Sequence, residues 1–156
     1  VVIYPSDTVY GLLGSSDSPD ACFRITRLKG YPEPRPFIHL VGSIREALAR
    51  TTDKSLLPHM EKHWPGPVTL LLPVGIGKVG IRIPADPLSR AILSATGFSL
   101  ISTSANLRGG ENPLSTEDIP NSILSGADLV IEGGPLPKRE PSMIIDLSGP
   151  EPVRIR

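Results

Sequence analysis

Hydrophobic and polar residues alternate in short segments along the chain, and most segments end at a proline or a glycine. The apolar run at residues 1–5 predicts a buried strand. Asp17 or Ser18 before Pro19 predicts the start of a helix, which should end at Gly30. The same cap chemistry predicts three more helices, which begin after Ser43, Asp53 and Asp86.

Further short apolar runs predict the other strands, at residues 37–41, 68–73, 79–84, 98–102, 127–132, 142–148 and 152–156. A helix-like stretch covers residues 115–126. In the helix that follows Asp53, Pro58 should cause a kink or a break. The stretch YPSDTVYGL, at residues 4–12, leaves the first strand with three oxygen-bearing side chains in a row. Strands and helices alternate with short connections, which predicts a single three-layer α/β domain with a mixed sheet over residues 1–156.

Composition and charge narrow the possible functions. Lys plus Arg (16) equals Asp plus Glu (16), so no net field draws the chain to nucleic acid or membrane, although a local basic patch stays possible. The single Cys22 excludes an internal disulfide and suits a reducing compartment. No apolar stretch approaches the roughly 18–20 residues that span a bilayer. Because the chain opens within a strand and without Met, we expect an N-terminal segment to precede it.

Several catalytic motifs are excluded by their context. His59 and His63 lie four residues apart, but Met60 stands where a zincin helix carries its catalytic Glu, and no third ligand is evident. GIGKVG, at residues 75–80, links two predicted strands without a following helix and is therefore no phosphate-binding P-loop. Cys22 lies within an amphipathic helix pattern and is predicted to pack in the core. We therefore assign neither a protein nucleophile nor a metal site.

Hydroxyl and cationic side chains at the predicted strand ends remain as candidates. Arg82 lies inside an apolar strand, where an unpaired charge would be costly to bury. Guanidinium groups bind carboxylates and phosphates bidentately, and ligands of α/β sheets bind at strand ends. The alternative is that Arg82 pairs with a structural acid and that residues 102–106 form an ordinary turn. The candidates are Thr8, Lys29, Arg35, Arg82, Ser102, Thr103, Ser104, Asn106, Ser142 and Arg156.

A set of motifs resembles a known family. The motifs are YPSDTVYGL, Lys-Gly before a proline-rich loop, WPGPVTLLL, VGIRIP followed by Asp-Pro-Leu, STSANLRG and PSMIIDL. Their order and rough spacing across nearly all 156 residues are similar to those of the YrdC-like threonylcarbamoyl-AMP synthases. The resemblance implies a twisted mixed β-sheet flanked by helices around a central basic cavity.

The resemblance also implies a reaction. Members of this family convert L-threonine, bicarbonate and ATP into threonylcarbamoyl-AMP and pyrophosphate, and we expect Mg²⁺ to bridge the phosphates. The product feeds the formation of threonylcarbamoyladenosine in tRNA. The implied protein is thus a cytoplasmic nucleotidyltransferase with a partner enzyme in tRNA modification, and RNA binding is possible.

Roles for individual residues follow from the same resemblance. The predicted threonine-binding residues are Thr8, Arg82, Ser102 and Ser142, of which Arg82 would bind the carboxylate. The predicted ATP-binding residues are Lys29, Arg35, Ser104, Asn112, Arg156 and, as a weaker member, Lys78. The wall of the threonine pocket would include the stretch at residues 4–12.

Two departures from the family pattern bear on ATP. The family reads Lys-x-Arg-Pro where this chain has Tyr31, so Arg27 or Arg35 would have to supply the missing charge. Some members carry a histidine where Leu40 stands here, and His39 should face the other side of the strand.

Two other functions stay open. A YrdC-like protein that has lost ATP activation could bind RNA or a nucleotide, and Tyr31 motivates this hypothesis. A carbamoyl-AMP-forming domain of a larger hydrogenase-maturation protein is a third hypothesis. Zinc-finger cysteines precede that domain, and the sole Cys22 argues against it.

Overall fold

The computed structural model describes residues 1–138 and 140–156. Within them, the strands in chain order are β1 (Val2–Pro5), β2 (Tyr10–Ser15), β3 (Ile38–Leu40), β4 (Val68–Val74), β5 (Gly77–Arg82), β6 (Leu100–Ser104), β7 (Leu129–Val130), β8 (Met143–Asp146) and β9 (Val153–Arg154). The α-helices are α1 (Pro19–Leu28), α2 (Ile44–Arg50), α3 (Leu57–His63), α4 (Pro87–Thr96) and α5 (Asn121–Leu124). Two short 3₁₀ helices cover Lys54–Leu56 and Thr116–Asp118. The predicted α/β class with mixed pairing is confirmed.

Helix starts and stops follow the predicted cap chemistry. The Ser18 side chain accepts a hydrogen bond from Ala21 N at the start of α1. Asp86 does the same for Ser89 N at the start of α4, and Gly97 ends that helix with a φ of 70°. The helix predicted after Asp53 is instead a 3₁₀ turn followed by α3, so the chain breaks near Pro58 as expected.

Two of the sequence predictions were wrong. Residues 10–15 form β2, for which no strand was predicted, and β6 begins at Leu100, two residues after the predicted start at Phe98. The two glycines in β2 conceal its strand character, because glycine has low strand propensity. Phe98 belongs to the exposed turn after Gly97 rather than to the buried strand.

The chain divides into two compact units. The first comprises Val1–Phe37 and Leu100–Glu140, and the second comprises Ile38–Ser99 and Pro141–Arg156. A single domain over residues 1–156 stays a prediction. No helix of the described residues is long and apolar enough to cross a membrane.

The first unit contains strands in the order β7-β1-β2-β6, in which β1 and β7 are parallel and the other pairs antiparallel. Ile3, Leu12, Ile25 and Ile101 form its hydrophobic core. Tyr10 is fully buried, and its hydroxyl donates to Gly134 O at 2.8 Å and accepts from Gly133 N at 3.0 Å. The core thus fixes β2. Because β1 pairs with β2, both ends of the YPSDTVYGL stretch are held in place.

The second unit contains strands in the order β3-β5-β4-β8-β9, with parallel pairing of β3 with β5 and of β4 with β8. Leu70 and Ile81 are paired and fully buried in its core. Trp64 packs in the same core, and its indole N–H donates to Val68 O at 2.7 Å. His39 pairs with Ile81, whereas Leu40 pairs with Arg82 on the opposite face, as predicted.

Candidate functional site

A hydroxyl-rich turn connects β1 with β2 in the first unit. The Ser6 hydroxyl donates to Val9 O at 2.6 Å and accepts from the backbone N–H groups of Thr8 and Val9, both at 3.2 Å. Thr8 is buried, and its Oγ1 lies 3.2 Å from Ser6 Oγ. The Ser6 side chain therefore fixes the turn that positions the predicted threonine-binding hydroxyl of Thr8.

Strand β6 places Ser102 and Ser104 on the sheet face that points away from the core of this unit. Ser102 pairs with Leu13 and Ser104 with Gly11, while Ile101 faces the core. Because side chains alternate along a strand, the two serines share the opposite face. Both are partly exposed, which leaves their hydroxyls accessible to a ligand.

Lys29 ends α1 and is bound to the loop after β6. Its Nζ donates to Ser104 O at 2.7 Å, to Asn106 O at 2.8 Å and to Asn106 Oδ1 at 2.9 Å. The residue is only 2% exposed, and burial lowers the pKa of its ammonium group to about 8. An ammonium group has three N–H donors, and all three have protein acceptors. Lys29 therefore holds the end of β6 at Ser104 together with the loop that follows it.

Asn106 is a functional candidate that lay in the predicted cluster without an assigned role. Its Oδ1 accepts from Ser104 Oγ at 2.6 Å, and its Nδ2 donates to Gly110 O at 2.6 Å. Asn112, which was predicted to bind ATP, is exposed two residues beyond Gly110. The hydrogen bonds thus make Asn106 the amide that organises the Ser104 hydroxyl.

The proline-rich loop after α1 carries two aromatic–cation contacts. The Tyr31 ring lies 5.1 Å from the Arg35 guanidinium carbon and 5.9 Å from Lys29 Nζ, measured to the ring centroid. Arg27, the other candidate for the missing loop charge, lies 5.7 Å from the ring centroid of Phe23 on α1. Arg35 is exposed, which leaves it accessible to a ligand.

Arg82 ends β5 in the second unit and is 7% exposed. Its Nε donates to Gly66 O at 3.1 Å, and Gly66 N donates to Ile83 O at 3.0 Å. Gly66 belongs to the WPGP turn, in which the Trp64–Pro65 peptide bond is cis. The WPGP turn thus holds the Arg82 side chain through the carbonyl group of Gly66.

Ser142 lies on the same face of the second unit's sheet as Arg82. Leu70 and Ile81 face the core, so Thr69 and Arg82, one position along their strands, face the other side. Ser142 Oγ lies 3.4 Å from Thr69 Oγ1, and both residues are buried. The core and register together therefore gather a guanidinium and two hydroxyls, and Thr69 is a member that the sequence prediction missed.

Arg156 and Lys78 are placed differently from each other. Arg156 is exposed, and its Nε donates to Ser142 O at 3.1 Å, which ties the C-terminal residue to a predicted threonine-binding position. Lys78 forms an ion pair with Asp146 and lowers the pKa of that carboxyl group to about 2. Arg156 thus lies beside Ser142, which is another predicted site residue, whereas Lys78 is paired with the carboxylate of Asp146.

Metal ligands do not cluster in the described residues. Among residues 1–138 and 140–156, no group of three or more His, Cys, Asp or Glu side chains could hold a metal ion. His59 and His63 of the HMEKH segment belong to no such group within those residues. Bound Mg²⁺ stays a prediction, as does the central basic cavity.

Comparison with known proteins identifies close structural relatives. The family model Sua5/YciO/YrdC, described as "Telomere recombination", matches residues 1–156. The chain is 30% identical over 169 residues to the threonylcarbamoyl-AMP synthase of Bacillus subtilis. The alignment covers 100% of this chain and 49% of that protein. The crystal structure of Pyrococcus abyssi Sua5 complexed with L-threonine has a TM-score of 0.89 and 26% identity, with coverage of 99% of this chain and 49% of that chain.

A second kind of relative is shorter. The chain is 30% identical over 170 residues to the Escherichia coli protein YciO and covers 82% of it. The crystal structure of that protein has a TM-score of 0.86. The chain spans about half the length of the curated synthases that it matches. The motifs, the fold and the match over residues 1–156 agree, and the chain belongs to the Sua5/YciO/YrdC family.

Proposed function

We propose that this chain forms threonylcarbamoyl-AMP and pyrophosphate from L-threonine, bicarbonate and ATP. The observation that carries the proposal is the buried polar face of Arg82, Thr69 and Ser142 in a chain with the fold of a Sua5 protein crystallised with L-threonine. Curated relatives with the name threonylcarbamoyl-AMP synthase add support at 29–30% identity.

Arg82 is the proposed partner of the threonine carboxylate. A guanidinium group presents its N–H donors in a planar fork that matches a carboxylate, and charge-assisted hydrogen bonds of this kind are strong. The bond from Nε to Gly66 O orients that fork. Burial increases its electrostatic effect, because the surroundings screen a charge less than water does. Ser142 would contribute a hydroxyl on the same face, and Thr8 and Ser102 stay predicted threonine-binding residues.

The proposed chemistry needs positioning and cations rather than a protein nucleophile. The threonine amine and bicarbonate give a carbamate and water. A carbamate oxygen then forms a bond to the α-phosphorus of ATP, while the bond from that phosphorus to the bridging oxygen breaks and its electron pair leaves with pyrophosphate. Donors that face the growing negative charge lower the barrier. Arg35, Ser104 and Arg156 are the proposed donors, and Lys29 would act through the loop that it orders.

The product would serve tRNA modification. A mixed carbamic–phosphoric anhydride is an activated acyl donor, so a second enzyme must transfer its threonylcarbamoyl group to a nucleophile. The proposed setting is the cytoplasm, with a tRNA-modifying enzyme as the partner and Mg²⁺ bound to the ATP phosphates.

The decisive experiment measures pyrophosphate release with L-threonine or bicarbonate omitted in turn, and detects threonylcarbamoyl-AMP by chromatography. We expect release to require both. Arg82→Ala should weaken threonine binding about 30-fold or more, because a desolvated charged contact is lost. Arg90→Ala, which removes an exposed arginine of α4, is the matched control and should behave like the wild type.

Arg82→Lys separates binding from folding. It keeps the charge but lacks the bidentate fork, so threonine affinity should fall while the far-ultraviolet circular dichroism stays unchanged. Pyrophosphate release that needs neither threonine nor bicarbonate, or that never occurs in a folded protein, would refute the proposed reaction.

A second candidate is a nucleotide- or RNA-binding protein without turnover. One observation favours it, which is that Tyr31 stands where the family carries arginine. In that case ATP or RNA would bind with no joint effect of threonine. A synthase should bind ATP more tightly when threonine and bicarbonate are present.

A further inference from the structure

We propose that Tyr31 is a positioning residue for ATP: its ring holds Arg35 in place, so that position 35 supplies the loop's phosphate-binding guanidinium. The inference rests on the proposed binding of ATP, but not on turnover. Arg35 would then keep a cation in the loop, although this chain has Tyr31 in place of the family's arginine.

Lys29 is a poor candidate for that cation. Its three N–H donors already have acceptors on Ser104 and Asn106, at 2.7, 2.8 and 2.9 Å. Contact with a phosphate would require at least one of these hydrogen bonds to break or to be shared with the ligand, and Lys29 itself is only 2% exposed. An exposed cation of the proline-rich loop that follows α1 is therefore the better candidate.

Arg27 is held by a different ring. Its guanidinium lies over Phe23, one turn earlier on α1, at 5.7 Å. Phe23 and Arg27 line a groove on α1 together with Leu107. Arg27 is thus part of a helix surface with its own aromatic partner, and it does not replace the loop cation.

Arg35 has the properties that the role requires. It is exposed, and it forms no ion pair with any of the described residues. Its guanidinium lies 5.1 Å from the centroid of the Tyr31 ring. A guanidinium over a ring keeps its N–H edges available for hydrogen bonds, and those edges fit phosphate oxygens bidentately.

The loop holds the Tyr31 ring in a defined position. Tyr31 N donates to Thr26 O at 3.1 Å, which attaches the residue to the end of α1. Pro32, Pro34 and Pro36 then restrict the backbone φ angles on both sides of Arg35. A restricted backbone and a stacked side chain lower the entropy that Arg35 loses when ATP binds.

The test measures ATP binding by titration calorimetry at fixed salt, without threonine. Tyr31→Leu should raise the dissociation constant about two- to fivefold, the range of an exposed cation–π contact. Tyr31→Phe keeps the ring and should bind like the wild type. Phe23→Leu removes the equivalent stack from Arg27 and is the matched control, which should leave ATP affinity unchanged. Arg35→Gln should weaken binding roughly tenfold or more.

A double mutant shows whether Tyr31 acts through Arg35. In the Arg35→Gln background, Tyr31→Leu should have no further effect on ATP affinity. Nuclear magnetic resonance gives a second readout, because the ring current of Tyr31 should shift the side-chain protons of Arg35 upfield in the wild type and not in Tyr31→Leu.

The outcomes separate this inference from the proposed reaction. ATP binding that depends on Tyr31 through Arg35, in a protein that releases no pyrophosphate, would overturn the reaction and keep the inference. Full activity with an unchanged ATP affinity in Tyr31→Leu, or equal effects of that change with and without Arg35, would overturn the inference alone. A wild type that binds no ATP would overturn both.

Discussion

At the scale of single residues, the candidate site depends on side chains that bind other parts of the protein rather than a ligand. Lys29 is nearly inaccessible and holds Ser104 and Asn106 through hydrogen bonds to their oxygens. The Ser6 hydroxyl likewise holds Thr8, whose backbone N–H donates a hydrogen bond to it. Removal of such a residue should therefore change the protein's stability as well as its affinity for a ligand.

Lys29→Met should lower the free energy of unfolding by about 1–3 kcal/mol at pH 7, because the hydrogen bonds from the ammonium group to Ser104 and Asn106 are lost. The size of the difference should depend on pH. The penalty for burying the charged amine is full below the folded pKa of about 8. It is relieved as the pH rises towards the ordinary lysine value of about 10.4, since the unfolded chain then binds more protons than the folded one.

Urea unfolding of both proteins at pH 7, 8, 9 and 10 measures this effect. The wild type should gain stability relative to Lys29→Met above pH 8. A difference that stays constant over this range would show that Lys29 does not titrate there.

At the scale of secondary structure elements, close packing determines which residues a strand can contain. Gly11 of β2 pairs with Tyr4 of β1 and with Ser104 of β6. A Cβ atom at position 11 would lie 2.9 Å from Tyr4 Cε1 and 3.2 Å from Thr103 O. The Tyr4 ring therefore occupies the space that any side chain at position 11 would need.

Gly11→Ala should destabilise the protein by about 1–3 kcal/mol, the usual cost of an overpacked core. Gly77→Ala in β5 is the matched control, because a Cβ there would lie 3.9 Å from its nearest neighbour, Val74 O. Thermal unfolding of both variants is the measurement. Equal melting temperatures for the two would refute the steric explanation.

The Lys78–Asp146 ion pair joins β5 to β8 across β4. Its lysine is about half exposed, so we expect Asp146→Asn to cost only about 1 kcal/mol or less at pH 7. Because the folded pKa of Asp146 is depressed to about 2, the contribution should be full above pH about 4 and disappear as the pH falls through 2.

Urea unfolding at pH 7, 4 and 2 would follow this loss without the added salt that would screen the pair, with Glu61→Gln at an exposed position of α3 as the control. A stability difference between wild type and Asp146→Asn that is as large at pH 2 as at pH 7 would show that the carboxylate charge is not its origin.

At the scale of the whole molecule, the balance of 16 basic and 16 acidic residues predicts weak general attraction to nucleic acid. An unmodified RNA hairpin should therefore bind more weakly than about 10⁻⁴ M at roughly physiological salt, the weak end of non-specific binding. Fluorescence anisotropy over a salt series measures this. Tight binding with a steep salt dependence would favour the RNA-binding function over the synthase.

Much of this protein could be predicted from short-range chemistry in the sequence. Ser18, Ser43, Asp53 and Asp86 accept backbone hydrogen bonds at the predicted helix starts, because a cap needs only neighbouring residues. The apolar runs of β4 and β5 likewise marked two central strands. The family motifs predicted Arg82 and the residues around Ser104, because each motif is a continuous stretch of the chain and needs only neighbouring residues.

Long-range contacts decided the rest. β2 is a strand because the rings and aliphatic side chains of distant residues pack on it, although its glycines disfavour one locally. The three acceptors of Lys29 lie 75 and 77 residues away, and Thr69 meets Ser142 across 73 residues. Local propensity contains no information about such pairs, because they form only when the core fixes the strand register. The sequence by itself thus determined the class, the caps and the candidate residue types, and the tertiary structure decided which side chains order the site and which remain accessible to a ligand.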